Sequence, residues 1–164
     1  MRRPQATWPR WVCRFLPSGA LGFWDEALFS RQLLAAGYQM VSAPRAVVEH
    51  HFHEDRLTHR AFLDRATKEG RSLAYVSWHW GHDPYDSQAR FKARKKRLKL
   101  ALLRMLRNRD ARRAEGCAEW EIQIVKSAAY FEHYAIEQQR PRNYSKEGLV
   151  KLSPSRLETA DAIA

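Results

Sequence analysis

The sequence is poor in cysteine and contains no long uninterrupted run of apolar residues. Its two cysteines, Cys13 and Cys117, are far apart, which argues against both a disulfide framework and the paired-cysteine spacing of a zinc ribbon. No apolar segment approaches the roughly 20 residues that a membrane-spanning helix needs. Arg14 and Pro17 interrupt the short apolar stretch near the N-terminus, so we do not expect a secretory signal. These absences predict a protein of the reducing cytoplasm.

The length and the charge of the chain set further bounds. The 164 residues are 45% hydrophobic, which is enough for one domain with a modest core and argues against global disorder. Residues 90–113 contain twelve Lys and Arg and a single acid, Asp110, so they carry the whole net charge of +11. A basic segment of this kind predicts an anionic partner or surface.

The pattern of apolar and turn residues predicts a mostly helical α+β fold with two short strands and about four helices. Gly37 stands where a left-handed cap would end the first helix, and Thr58 is a good N-cap for the second. Gly70 is expected to end or kink that second helix, unless residues 73–78 continue it. The expected helices are 25–36, from 58 onward, 87–111 and 118–139; the expected strands are 38–43 and 46–52, and 78–84 is expected to be an aromatic-rich loop.

Several short motifs follow one another in an informative order. Asp25 and Glu26 precede the first helix, AGY occupies 36–38, PRAVVEH occupies 44–50, and GRS follows at 70–72. In this order they resemble the acceptor-side half of family 2 glycosyltransferases with the GT-A fold. The resemblance implies metal-assisted, inverting transfer of a sugar from a nucleotide sugar to a sugar or lipid-linked acceptor, as in cell-surface polysaccharide or glycolipid synthesis.

The acidic pair is the candidate catalytic base. Inverting sugar transfer needs a carboxylate that takes the proton of the attacking hydroxyl, and the resemblance implies that Asp25 or Glu26 does this. Two acids are explained equally well as favourable charges at the start of a helix. A second alignment, in which residues 22–29 match the segment ahead of the family's catalytic pair, implies instead that this pair is deleted.

Histidines and arginines after the acidic pair are the candidate donor-binding residues. By themselves, His50, His51 and His53 form only a weak metal signal, because they lack cysteine partners and helical spacing. The resemblance implies that His50, with His51 behind it, binds the Mg or Mn ion that neutralises the leaving diphosphate. It also implies that Arg71 or Arg65 contacts the diphosphate, although helical arginines are commonly just solvated.

The basic segment is expected to be an amphipathic helix with one apolar stripe. Such a helix suits an anionic membrane surface, and the resemblance agrees because many members of the family act on lipid-linked acceptors. The alternatives are a helix that packs on the core with a solvated basic face, or nucleic-acid binding, for which no zinc finger or other recognition motif is present. The stripe contains Leu98, Leu102, Met105 and Leu106, and the candidate membrane-facing cations are Arg94, Lys95, Lys96, Arg97, Lys99 and Arg104.

The resemblance covers about fifty residues and leaves out the nucleotide-binding half of a GT-A enzyme. The Asp-x-Asp motif of that half does not occur ahead of Asp25. The chain alone is therefore expected to bind nucleotide sugar weakly or not at all. The alternatives are a split-gene fragment whose partner chain supplies the nucleotide-binding half, a wrongly chosen start, or a decayed copy that is inactive as an isolated fragment. The expected regions are an irregular lead-in (1–20), a partial glycosyltransferase region (21–86), a C-terminal helical region (87–152) and a disordered tail (153–164).

Overall fold

A computed structural model describes residues 25–47, 49, 53–111, 116–148 and 152, without the side chains of 25–27 and 108–111. The described part is mostly helical, as predicted. Its elements are α1 (Asp25–Ala35), a short 3₁₀ helix (Glu54–Leu57), α2 (His59–His79), α3 (Ala89–Ala111) and α4 (Glu119–Glu137).

Helix α1 ends at the predicted glycine cap. Gly37 has a φ of +84°, the left-handed conformation that a residue with a Cβ rarely adopts. The N–H groups of Gly37 and Tyr38 donate to the carbonyls of Leu34 and Leu33, each at 3.0 Å, which satisfies acceptors that the helix end leaves open. The prediction of a left-handed glycine cap at Gly37 is therefore confirmed.

The two expected strands are not present in the described residues. Residues 38–43 are exposed and form no strand: Tyr38 N–H belongs to the cap of α1, and the Ala43 carbonyl accepts a 2.9 Å turn hydrogen bond from Ala46 N–H. The second expected strand, 46–52, lies partly outside the described residues. Strand pairing requires a neighbouring row of backbone donors and acceptors, and the described chain supplies none beside this segment.

Helix α2 begins where the sequence predicted and extends further. The Thr58 hydroxyl accepts a hydrogen bond from Ala61 N–H at 3.3 Å, which confirms it as the N-cap. Gly70 does not end the helix: of the two alternatives, the structure has the continued one, since α2 extends to His79. The expected aromatic loop at 78–84 therefore starts inside the helix, and both Trp78 and Trp80 are buried.

Helix α4 holds the described part together by packing against both α2 and α3. Its contact with α2 is close at Gly70, where an added Cβ would overlap the carbonyl oxygen of Lys126. After α4 the chain returns along the end of α2. There the indole N–H groups of Trp78 and Trp80 donate to the carbonyls of Arg140 and Gly148, each at 3.1 Å.

Candidate functional site

The residues expected to carry catalysis lie at the edge of the described structure or outside it. Asp25 and Glu26 are the first two residues of α1, so they do stand at a helix N-terminus, but their side chains are not described. The expected metal ligands His50 and His51 lie outside the described residues. A base and a metal at this site therefore stay predictions.

The two candidate donor-binding arginines are on α2. Arg65 and Arg71 are both exposed, so both are accessible to a ligand. They are six residues apart, which places them about 120° apart around the helix axis. One phosphate group is therefore not expected to contact both side chains at once.

Helix α3 has an unusual orientation, because its largest apolar side chains point away from the core. It packs inward through the small residues Ala89 and Ala93, which are 0% and 6% exposed. The opposite side is a row that we call the outer stripe, whose members are 51–81% exposed. An exposed apolar row of this kind is typical of an interaction surface rather than of a solvated helix face. The outer stripe consists of Phe91, Leu98, Leu102, Met105 and Leu106.

The six candidate membrane-facing cations divide into two groups. Arg94, Lys95 and Lys99 are exposed and lie beside the outer stripe on the helix. The other three turn toward α4. Of these, Arg97 pairs with Glu132 at 2.5 Å, Arg104 pairs with Glu121 at 2.5 Å, and Lys96 lines the groove between α3 and α4.

That groove has a volume of about 600 Å³ and a basic lining. Lys96, Lys99 and Arg107 supply three positive charges, and none of the described residues that line the groove is acidic. The Arg107 guanidinium lies 5.6 Å from the ring of Trp120, a cation–π distance. The groove is therefore suited to an anionic group next to an apolar surface.

A buried carboxylate at the start of α4 forms what we call the Glu121 cluster. Glu121 Oε2 is 2.9 Å from His59 Nε2 and 3.7 Å from Cys117 Sγ, while Oε1 accepts a 2.7 Å hydrogen bond from Arg104 Nε. Burial raises the pKa of Glu121, but the hydrogen bonds from His59 and Arg104 outweigh burial, so its pKa is lowered.

The cysteine of this cluster is not set up as a nucleophile. Burial, and then the neighbouring charge of Glu121, raise the pKa of the Cys117 thiol to about 11. Because the thiolate is the reactive form, the free Cys117 side chain stays a weakly reactive thiol at neutral pH. Among the residues that the structure describes, the Glu121 cluster is the one group whose side chains are spaced to hold a metal ion.

A second buried carboxylate, at the end of α4, forms the Glu137 cluster. Glu137 is 1% exposed and accepts hydrogen bonds from His79 Nε2 at 2.9 Å and from Arg140 Nη1 at 3.0 and 3.2 Å. His133 Nε2 lies 2.9 Å from Oε1 without the direction of a good hydrogen bond. The backbone N–H of Asn143 donates to His79 Nδ1 at 3.1 Å, so the Nε2 atom carries the His79 proton.

The Glu137 cluster connects α2, α4 and the chain that follows α4. Burial alone would raise the pKa of Glu137, but His133, His79 and Arg140 together hold it well below its ordinary value. The carboxylate is therefore ionised and fully enclosed by its partners. We assign this cluster to structure rather than catalysis, because 1% exposure leaves no access for a substrate.

Within the described ranges, none of the helices combines the length and apolar character that crossing a bilayer requires. Comparison with known proteins adds no relative: no family model, curated protein or solved structure matches the chain.

Proposed function

We propose that this chain is the acceptor-side part of a metal-assisted, inverting glycosyltransferase of the family 2 type, and that α3 holds it on an anionic membrane surface. The order of the motifs at 25–26, 36–38 and 44–50 supports the transferase activity. The proposed membrane location is supported by one structural observation, the exposed outer stripe of α3.

The backbone between α1 and α2 is compatible with the transferase proposal. Helix α1 ends in the Gly37 cap, the exposed residues 39–43 follow without regular secondary structure, and α2 begins after Thr58. In this proposal, 38–43 and 46–52 become strands when a sheet from the nucleotide-binding half pairs with them. The backbone of an exposed segment such as 39–42 is accessible to pairing with such a sheet.

We expect weak, metal-dependent donor binding that involves His50. NMR of the histidine ring signals detects such weak binding during titration with UDP-, GDP- and dTDP-sugars in the presence and absence of Mg²⁺. One donor should shift these signals only when Mg²⁺ is present, and His50→Ala should abolish the effect. His53→Ala is the matched control and should retain it. Survival of the Mg²⁺-dependent shift in His50→Ala would contradict the role of His50, and no shift with any donor would mean that the donor site is absent from this chain.

Both components of a membrane-binding helix occur on the same side of α3. The outer stripe can enter the boundary between headgroups and acyl chains, and Arg94, Lys95 and Lys99 lie beside it to meet lipid phosphates. Each cation near an anionic leaflet contributes about 1 kcal/mol. The groove lined by Lys96 and Arg107 adds positive charge on the side of α3 that faces α4.

Replacing two residues of the outer stripe by acids should strongly weaken vesicle binding. Transfer of one such side chain into an apolar medium contributes roughly 1.5–3 kcal/mol, so we expect L102E/M105E to lower partitioning by about a hundredfold or more. Sedimentation with vesicles of phosphatidylcholine and phosphatidylglycerol measures this.

The matched control is M40E/V41E, which makes the same change of charge at exposed apolar positions outside α3. This variant should bind the vesicles as the unsubstituted protein does, apart from the small effect of its altered net charge. Equal losses in the two double variants would mean that net charge, and not the outer stripe, controls binding.

A further inference from the structure

Three different kinds of metal-binding atom meet at the start of α4. His59 Nε2, Cys117 Sγ and Glu121 Oε2 all lie within 4.8 Å of one another. They come from the first residue of α2, the connection between α3 and α4, and the first turn of α4. Packing of α2 against α4 therefore brings together residues that are 62 positions apart in the sequence.

The chemistry of this group matches zinc better than magnesium or manganese. Zn²⁺ accepts imidazole nitrogen, thiolate sulfur and carboxylate oxygen together, whereas Mg²⁺ and Mn²⁺ prefer oxygen ligands. With metal–ligand distances of about 2.0–2.3 Å, the ligand atoms of a tetrahedral zinc site are about 3.3–3.8 Å apart. The separations of Glu121 Oε2 from His59 and Cys117, 2.9 and 3.7 Å, are close to that range.

Arg104 prepares the carboxylate for this role. It hydrogen-bonds to Oε1 and leaves Oε2, the oxygen that both His59 and Cys117 approach, as the ligand atom. Hydrogen bonds to a ligating carboxylate commonly fix its orientation in metal sites. A thiolate and a carboxylate supply two negative charges to the divalent cation, while the Arg104 guanidinium stays paired with Oε1. The Cys117 proton leaves to solvent when the metal binds.

We propose that His59, Cys117 and Glu121 form a zinc site with an open fourth position. The His59 side chain is 47% exposed, so solvent reaches the cluster from its side and water can complete the tetrahedron. The bound ion would cross-link the first turn of α2, the first turn of α4 and the connection between α3 and α4. This site is separate from the Mg or Mn ion that the glycosyltransferase resemblance assigns to His50.

Cobalt(II) titration of the whole chain, followed by absorption spectroscopy, tests the proposal. Co²⁺ substitutes for Zn²⁺, and a cysteine ligand produces a thiolate-to-cobalt charge-transfer band in the near ultraviolet together with intense visible bands of the tetrahedral ion. We expect both bands, and we expect added Zn²⁺ to remove them. Co²⁺ bound adventitiously to histidines alone gives no charge-transfer band.

Two pairs of variants make the assignment specific. Cys117→Ser should abolish the charge-transfer band, while Cys13→Ser, which removes the other cysteine, should leave it intact. His59→Gln should weaken cobalt binding by at least tenfold, and His53→Ala should not. Zn²⁺ should raise the melting temperature of the protein and of Cys13→Ser but not of Cys117→Ser. A missing charge-transfer band, or one that persists in Cys117→Ser, would overturn the zinc site.

Discussion

Replacing Glu137 by alanine is expected to destabilise the protein by about 3–5 kcal/mol, because this removes one partner from a buried ionic cluster and leaves the others unpaired. Glu137 is 1% exposed and receives hydrogen bonds from His79 and Arg140, and its loss also removes the bonds that connect α4 to the end of α2. Urea unfolding measures the difference in free energy.

Glu132→Gln is the matched control on the same helix. Glu132 forms a partly exposed ion pair with Arg97, so its substitution should cost less than about 1 kcal/mol. If Glu137→Ala and Glu132→Gln lowered the free energy of unfolding by similar amounts, the burial of Glu137 would not be what stabilises this end of α4.

The contribution of Glu137 should also depend on pH in a defined direction. Its partners lower its pKa in the folded protein below the ordinary value of 4.5, so its stabilisation is fully present above about pH 4.5. As the pH falls below this value, unfolded chains take up the proton first and the stabilisation is progressively lost. The difference in unfolding free energy between the protein and Glu137→Gln should therefore shrink in acid. A difference that grows in acid would contradict the assignment.

Gly70→Ala is expected to destabilise the protein by about 2 kcal/mol or more, although alanine is the better helix former. An alanine Cβ at Gly70 would overlap the Lys126 carbonyl oxygen and lie only 3.0 Å from Tyr130 N and 3.1 Å from Ala129 Cβ. Because the backbone of α4 cannot rotate away as a side chain can, α2 and α4 must separate. Gly70→Val should cost more, and urea unfolding again gives the values.

Arg71→Ala controls for the effect of substitution in this part of α2. Arg71 is exposed and follows Gly70 directly, so its substitution is expected to change stability by less than about 0.5 kcal/mol. If Gly70→Ala proved neutral or stabilising, the close approach of α2 to α4 would not be as the structure has it.

Local features of the fold could be predicted from the sequence because they depend on a few neighbouring residues. The Gly37 cap and the Thr58 N-cap each follow from one residue and its chain neighbours, and both are present. All four expected helices occur and begin close to the expected residues. The predicted strands lacked this local basis, because pairing depends on a partner that the described residues do not contain.

Features that depend on distant residues were missed. The sequence left open whether Gly70 ends α2 or lies inside it, and it did not reveal the close contact that Gly70 makes with α4. The i,i+4 spacing of Cys117 and Glu121 was visible, but His59 joins them only through tertiary packing. In the same way, the apolar stripe of α3 was recognised, whereas packing through Ala89 and Ala93 was not, because periodicity favours large apolar residues over small ones.

The most direct test of the membrane-bound glycosyltransferase account is whether the outer stripe itself enters a lipid surface. An environment-sensitive fluorophore is attached at L102C, with Cys13 and Cys117 replaced by serine, and a second protein carries it at V41C as the control. Adding phosphatidylglycerol-containing vesicles should shift the emission to the blue at position 102 and not at 41, and pure phosphatidylcholine vesicles should shift neither. An unchanged emission at 102, or an equal response at both positions, would contradict the account.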